Sequence, residues 1–190
     1  DFNYGPGQTI AHLVIAPVGD DGVVQFLNTS EAGASVQLVA DVAGYYIDGR
    51  PVTAGGFGLL ARSRAFDSAA TSGPLAAGQT VSFPVAGRGG VPVRGVSAVA
   101  LNLTASEPLG HGGVAAFASG TKVPLPTGAS NLNYPTSQPA SNLVIAPVGS
   151  DGQVSLVNLG VPGSSVQLSA DIVGYYLSAN LAVPASSTSR

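Results

Sequence analysis

Apolar and polar positions alternate with a period of two along Val166–Tyr176 (VQLSADIVGYY), and again along Val36–Tyr46 (VQLVADVAGYY). In the earlier stretch Val36, Leu38, Ala40, Val42, Gly44 and Tyr46 share one face, while Gln37, Val39, Asp41, Ala43 and Tyr45 share the other. That is the pattern of a strand with one face on a core. His12–Pro17 is a short apolar run closed by proline, which predicts a buried strand, and Val23–Asn28 predicts a returning one. Between them Gly19-Asp20-Asp21-Gly22 predicts a tight hairpin turn, because Asp-Gly supplies the positive φ angles such turns require. Phe57–Phe66, Thr80–Val85, Val96–Ser106 and Val114–Ser119 predict further strands, with Gly110-His111-Gly112-Gly113 turning the chain between the last two.

The two alternating stretches are copies of one another. From Asn3 to Tyr46 each residue aligns, without a gap, with the residue 130 positions later, ending at Tyr176. About half of the aligned positions are identical, the mark of a repeat architecture. The block from 57 to 130 has no earlier counterpart, although VALNLTASEPLGHGGVAAFAS echoes NLVIAPVGSDGQVSLVN as strand, glycine turn, strand. The order is therefore second half, first half, second half. Residues 1–48 read as the C-terminal half of a module, 49–56 as a Gly/Pro linker, 57–177 as one complete β module, and 178–190 as an Ala/Ser/Pro-rich tail. The fold class expected is all-β, with antiparallel sandwich or jelly-roll-like modules, one complete and one half. A half module exposes its apolar face and strand edges, so it must be completed by something.

Composition narrows the function. Charged residues make up 9% of the chain and the net charge is −3, with Lys122 the one lysine. Phosphate neutralisation needs clustered Lys and Arg, so nucleic acid is not an expected partner. There is no Cys, Met or Trp, hence no disulfide framework and no thiolate metal site. No stretch has the run of apolar residues that a membrane-spanning helix needs. Asp1 is expected to follow a removed signal peptide.

Gly87-Arg88-Gly89-Gly90-Val91-Pro92, Ala98–Thr104 (AVALNLT), Ser130–Tyr134, Asn142–Val148 (NLVIAPV) and Asp171–Tyr176 (DIVGYY) occur in an order and spacing that resembles a known pattern. It is that of the β-rich repeat modules of large secreted and cell-surface proteins of actinobacteria and related bacteria. Leu59–Asp67 (LLARSRAFD) departs from it, since such modules commonly read close to L-L-D-T-R. The resemblance covers nearly the whole chain and implies secretion to an extracellular or cell-surface location, without implying an activity.

The candidate chemistry is sparse, and no enzyme is expected. His12 becomes Asn142 in the second copy, and His111 sits in a glycine turn. Neither has a nucleophile or carboxylate at a recognisable spacing. Asp20, Asp21 and Asp151 offer too few oxygens for calcium and read as turn residues. Lys122, in a loop, does not suit an intramolecular isopeptide bond, which needs a buried lysine. No cofactor and no metal are expected. Asp41 and Asp171 recur before Gly-Tyr-Tyr on the face away from the core, where a cross-strand or loop hydrogen bond is the expected role. By alternation Tyr46 and Tyr176 point inward, while Tyr45 and Tyr175 point outward, to serve a neighbouring subunit or domain, a sugar, or nothing, with the protein contact favoured. These six residues form the candidate assembly or ligand face. The leading expectation is a structural protein that assembles head to tail with copies of itself or neighbouring repeat modules. The alternative is a carbohydrate-binding or adhesive accessory module on cell-surface glycan.

Overall fold

The computed structural model describes residues 4–5, 12, 14–42, 45–46, 49–123 and 130–179. The Pro-rich segment at 124–129, the tail from 180 onward, and Leu13, Ala43 and Gly44 of the expected first-copy strands lie outside them. Nine strands occur among the described residues, with no helix. They are β1 (Phe57–Asp67), β2 (Leu75–Ala76), β3 (Thr80–Pro84), β4 (Val96–Leu109), β5 (Gly112–Ala118), β6 (Leu132–Tyr134), β7 (Ala140–Pro147), β8 (Gln153–Asn158) and β9 (Ser165–Leu177).

Two antiparallel sheets make the all-β sandwich that the alternation predicts. One has the order β1-β9-β4-β7, with β2 also on β9; the other has the order β3-β8-β5-β6. Leu101 and Leu103 of β4, Leu156 of β8, and Leu168 and Ile172 of β9 are fully buried in one core cluster. Phe66 and Phe83 stack there with centroids 5.1 Å apart. Burying each such side chain contributes about 1.5–3 kcal/mol.

The expected hairpin turns prove to be corners. Gly152 has φ 76, its N–H donates to Gly149 O at 2.9 Å, and the Gly149 N–H donates to Gln153 O at 2.8 Å. The turn is as tight as Gly-x-Asp-Gly predicts. Yet β7 enters it from one sheet and β8 leaves it in the other. The Gly110–Gly113 turn does the same between β4 and β5. Their echo in sequence corresponds to a relation in space, for β4 pairs with β7 and β5 pairs with β8.

Along β9 the alternation changes phase. On β4, Ala100 faces Gly174 and Leu101 faces Ile172, so Val173 is an extra residue; on β1 the register also shifts, between Leu59 and Ser63. This bulge turns over every side chain beyond it. Val166, Leu168, Ala170 and Ile172 face the core, but after the bulge it is Tyr175 and Leu177 that do.

The first copy departs from expectation. Among the described residues of 1–48 no strand occurs, where His12–Pro17, Val23–Asn28 and Val36–Tyr46 predict three.

Candidate functional site

The reason lies in the pairing of the complete module. Let the first half be β1–β5 and the second half β6–β9, the part duplicated at the start of the chain. The seven ladders are β1–β9, β2–β9, β3–β8, β4–β7, β4–β9, β5–β6 and β5–β8. Each joins one first-half strand to one second-half strand. No ladder joins two second-half strands, and none joins two first-half strands. The halves interleave like the fingers of two hands, so neither can form a sheet alone. Among the described residues, none of the three strand sequences of 1–48 is paired in a ladder.

What the first copy can make by itself, it makes. Tyr4 Oη donates to Asn28 Oδ1 at 2.9 Å, as Tyr134 Oη donates to Asn158 Oδ1 at 2.6 Å. The Ser30 N–H donates to Asn28 Oδ1 at 3.2 Å, as the Gly160 N–H donates to Asn158 Oδ1 at 2.9 Å. The Val23 and Gln153 N–H groups each donate at 3.1 Å to the Oδ1 of Asp21 and Asp151. The Gly22 N–H closes on Gly19 O at 2.8 Å, as in the Gly149–Gly152 turn. The bond to the first half differs: Asn158 Nδ2 reaches Leu75 O, whereas Asn28 Nδ2 turns back to Ala34 O. These bonds internal to a second half are retained, and the one to a first half is replaced.

The candidate residues divide in the same way. Asp171 is buried on β9, with Arg64 Nε 2.5 Å from Oδ1, Arg64 Nη2 3.3 Å from Oδ2, and Arg62 Nε 3.4 Å from Oδ2. Arg64 also bridges to Asp67 at 2.7 Å. The hydrogen bond to Asp171 leads the causes that raise the Arg64 pKa. Its role is therefore the cross-strand tie expected from the sequence, with β1 supplying both arginines. Asp41, the same residue in the first copy, lies exposed, and no arginine reaches it among the described residues.

The tyrosines require a correction. Tyr175 is 7% exposed and belongs to the core cluster, its ring lying over Gly58, where a Cβ would meet it at 2.6 Å. The bulge at Val173 put the wrong member of the pair outside. Tyr176 is the outer one and packs on Phe57 at 4.9 Å between centroids. Tyr46 packs on the same Phe57 ring at 4.5 Å. Burial, and then the hydroxyl contact with Tyr46, hold Tyr176 above the ordinary phenol pKa. Tyr45 is 85% exposed. Arg62, Arg64 and Phe57 were the functional residues missed; the signal available for the arginines was an Arg-x-Arg spacing on one strand face.

Little here has the form of catalytic or metal chemistry. His111 and Lys122 are exposed in loops, and burial lowers the pKa of His12. Among the described residues no group of three or more His, Asp or Glu is placed to hold a metal ion, and no helix is long and apolar enough to cross a membrane. The chain matches no known family model, curated protein or solved structure.

The pairing gives a direct prediction. Asp171→Ala removes two charge-assisted hydrogen bonds to a half-exposed arginine and is expected to cost about 1–2 kcal/mol of unfolding free energy. Asp41→Ala is expected to stay within about 0.5 kcal/mol. Urea unfolding of the two variants checks the contrast, and equal effects would contradict it.

Proposed function

We propose that the protein is an extracellular structural and assembly protein, joined head to tail to neighbouring repeat modules by completion of its half module. The observation that carries this reading is the interleaving. The described residues of 1–48 expose Val14, Val18, Val23, Val24, Phe26, Leu27, Val36, Leu38, Val39 and Val42, and their counterparts in 140–177 pair only with first-half strands. A first half is thus the partner whose backbone and apolar face fit. Association would proceed by strand addition, with main-chain hydrogen bonds supplying affinity and alternate side chains supplying register. The resemblance to modules of secreted and cell-surface proteins supports the location.

Within residues 1–190 there are two second halves and one first half, so copies of this stretch alone leave one second half each uncompleted. The glycan-binding reading loses its basis in the complete module. It relied on an outward Tyr175, which faces the core, and Tyr45 is exposed where no first half covers it.

The test supplies a free first half. In a chain carrying Leu38→Pro and Leu168→Pro both second halves are disabled, because proline removes a ladder N–H and cannot sit in a central strand. Mixed with the native protein, this variant is expected to form a one-to-one complex by gel filtration and light scattering, with a gain of β signal in circular dichroism. Absence of a complex at high concentration would sink the proposal.

A further inference from the structure

We infer that residues 57–123 are a binding site with two alternative occupants, and that 1–48 of the same chain can take the place of 131–177. The inference rests on the repeat and the strand pairing, and does not depend on the assembly reading.

The two occupants match at many of the positions where the first half reads them. Val166, Leu168, Ala170 and Tyr175, all buried against the first half, recur as Val36, Leu38, Ala40 and Tyr45, while Ile172 recurs as Val42. Asp171, held by Arg62 and Arg64, recurs as Asp41. Gln167, which accepts from Ser68 Oγ at 2.5 Å, recurs as Gln37. Val144, Ala146 and Val154 recur as Val14, Ala16 and Val24. The first copy already holds the local Tyr–Asn and Asp–turn hydrogen bonds of a docked second half. Less ordering therefore remains to be done on binding.

Chain connection permits the exchange within one molecule. Phe57 at the start of β1 faces Tyr176 near the end of β9. Leu177 then exchanges backbone hydrogen bonds with the linker, accepting from Gly55 N at 2.9 Å and donating to Gly56 O at 3.0 Å. Ile47 is the residue equivalent to Leu177. With 1–48 docked, residues 48–54 become the loop of a hairpin from that strand into β1, a length within the ordinary range for a connection. Residues 1–123 then form a circular permutant of the module at 57–177. Tyr46 already stands beside the position it would occupy, on the ring of Phe57.

The fit also accounts for the present occupant. Ser155, buried and bonded to Ser82 Oγ at 2.7 Å, is Gln25 in the first copy, a longer side chain at a closed site. The ordering is therefore 131–177 over 1–48. Exchange sets in when 131–177 is weakened.

Three full-length variants test this by thermal unfolding in circular dichroism. Leu168→Pro is expected to keep a cooperative transition at a lower midpoint, with the first half now completed by 1–48. Leu38→Pro is expected to unfold like the native chain, and the double variant to lose the transition. If Leu168→Pro and the double variant behave alike, whether both folded or both unfolded, the inference is wrong. Position is tested separately. Asp67 faces Ser169, whose equivalent is Val39, and the chain has no cysteine of its own. With Leu168→Pro, the pair Val39→Cys and Asp67→Cys is expected to form a disulfide inside a monomer on mild oxidation. No disulfide, or one between two chains, would overturn the exchange within one molecule.

Discussion

Leu101→Ala is expected to lower the unfolding free energy by about 3–4 kcal/mol, the range for truncating a closed core position. Leu101 is fully buried on β4, the strand that pairs with both β9 and β7. Two features make this loss large. The site lies between two sheets with strands on either side, so little can collapse into the space left behind. It also belongs to the first half, which either second half must use, so exchange of occupants offers no relief. For a single module whose total stability is about 5–15 kcal/mol, the loss is a large fraction of the whole. The matched control is Leu38→Ala, an identical change in a copied strand with no first half over it, where the effect should stay within about 0.5 kcal/mol. Urea unfolding followed by circular dichroism measures both. A Leu38→Ala loss comparable to that of Leu101→Ala would mean that 1–48 is already completed in the isolated chain.

Gly112→Val is the second large effect, and it acts by excess rather than loss. A Cβ at Gly112 would lie 2.3 Å from the Cα of Gly160 and 2.6 Å from Tyr134 Oη. The first of these is backbone against backbone, so no side-chain rotation relieves it. The second would push on the buried hydrogen bond from Tyr134 Oη to Asn158 Oδ1, whose amide nitrogen in turn donates to Leu75 O. Overpacking of this kind costs about 1–3 kcal/mol and occasionally more, and disturbing a buried polar chain places the expected loss near the upper end. A thermal melt of the full-length variant gives the answer. A midpoint unchanged from the native chain would show that the two backbones do not approach as described.

The fold was legible wherever its cause was local. Period-two alternation located the strands of the complete module, and Gly-x-Asp-Gly located its turn, because both depend on residues close in sequence. The same locality explains why the first copy keeps its turn and its Tyr4–Asn28 bond while forming no strand among its described residues: those contacts need no partner from elsewhere. Three things were not legible. A tight glycine turn looks the same whether it joins neighbours in one sheet or crosses to the other, so β7 and β8 read as a hairpin and are not one. The bulge at Val173 is set by how β1 and β4 meet β9, and nothing within VQLSADIVGYY marks it; Tyr175 and Tyr176 were therefore assigned to opposite faces from those they occupy. The interleaving of halves is a property of long-range pairing alone. The repeat marks 1–48 as a copy of a second half, and the ladders show that the second half at 131–177 pairs only with first-half strands. At Asp171 the sequence offered the acid and its copy Asp41, while Arg62 and Arg64 stand in Leu59–Asp67, a segment with no counterpart in the first copy.

The claim that most needs testing is that 1–48 lacks only a first half. The direct measurement is hydrogen exchange at the amides of Val36–Val42, in the native chain and in a chain extended by a second copy of residues 57–130 ahead of Asp1. The account predicts near-unprotected exchange in the native chain, and protection in the extended chain approaching that of Val166–Ile172, because every first half and every second half then has its counterpart. Amides of Val36–Val42 that stay unprotected in the extended chain, or that are already protected in the native one, would contradict it.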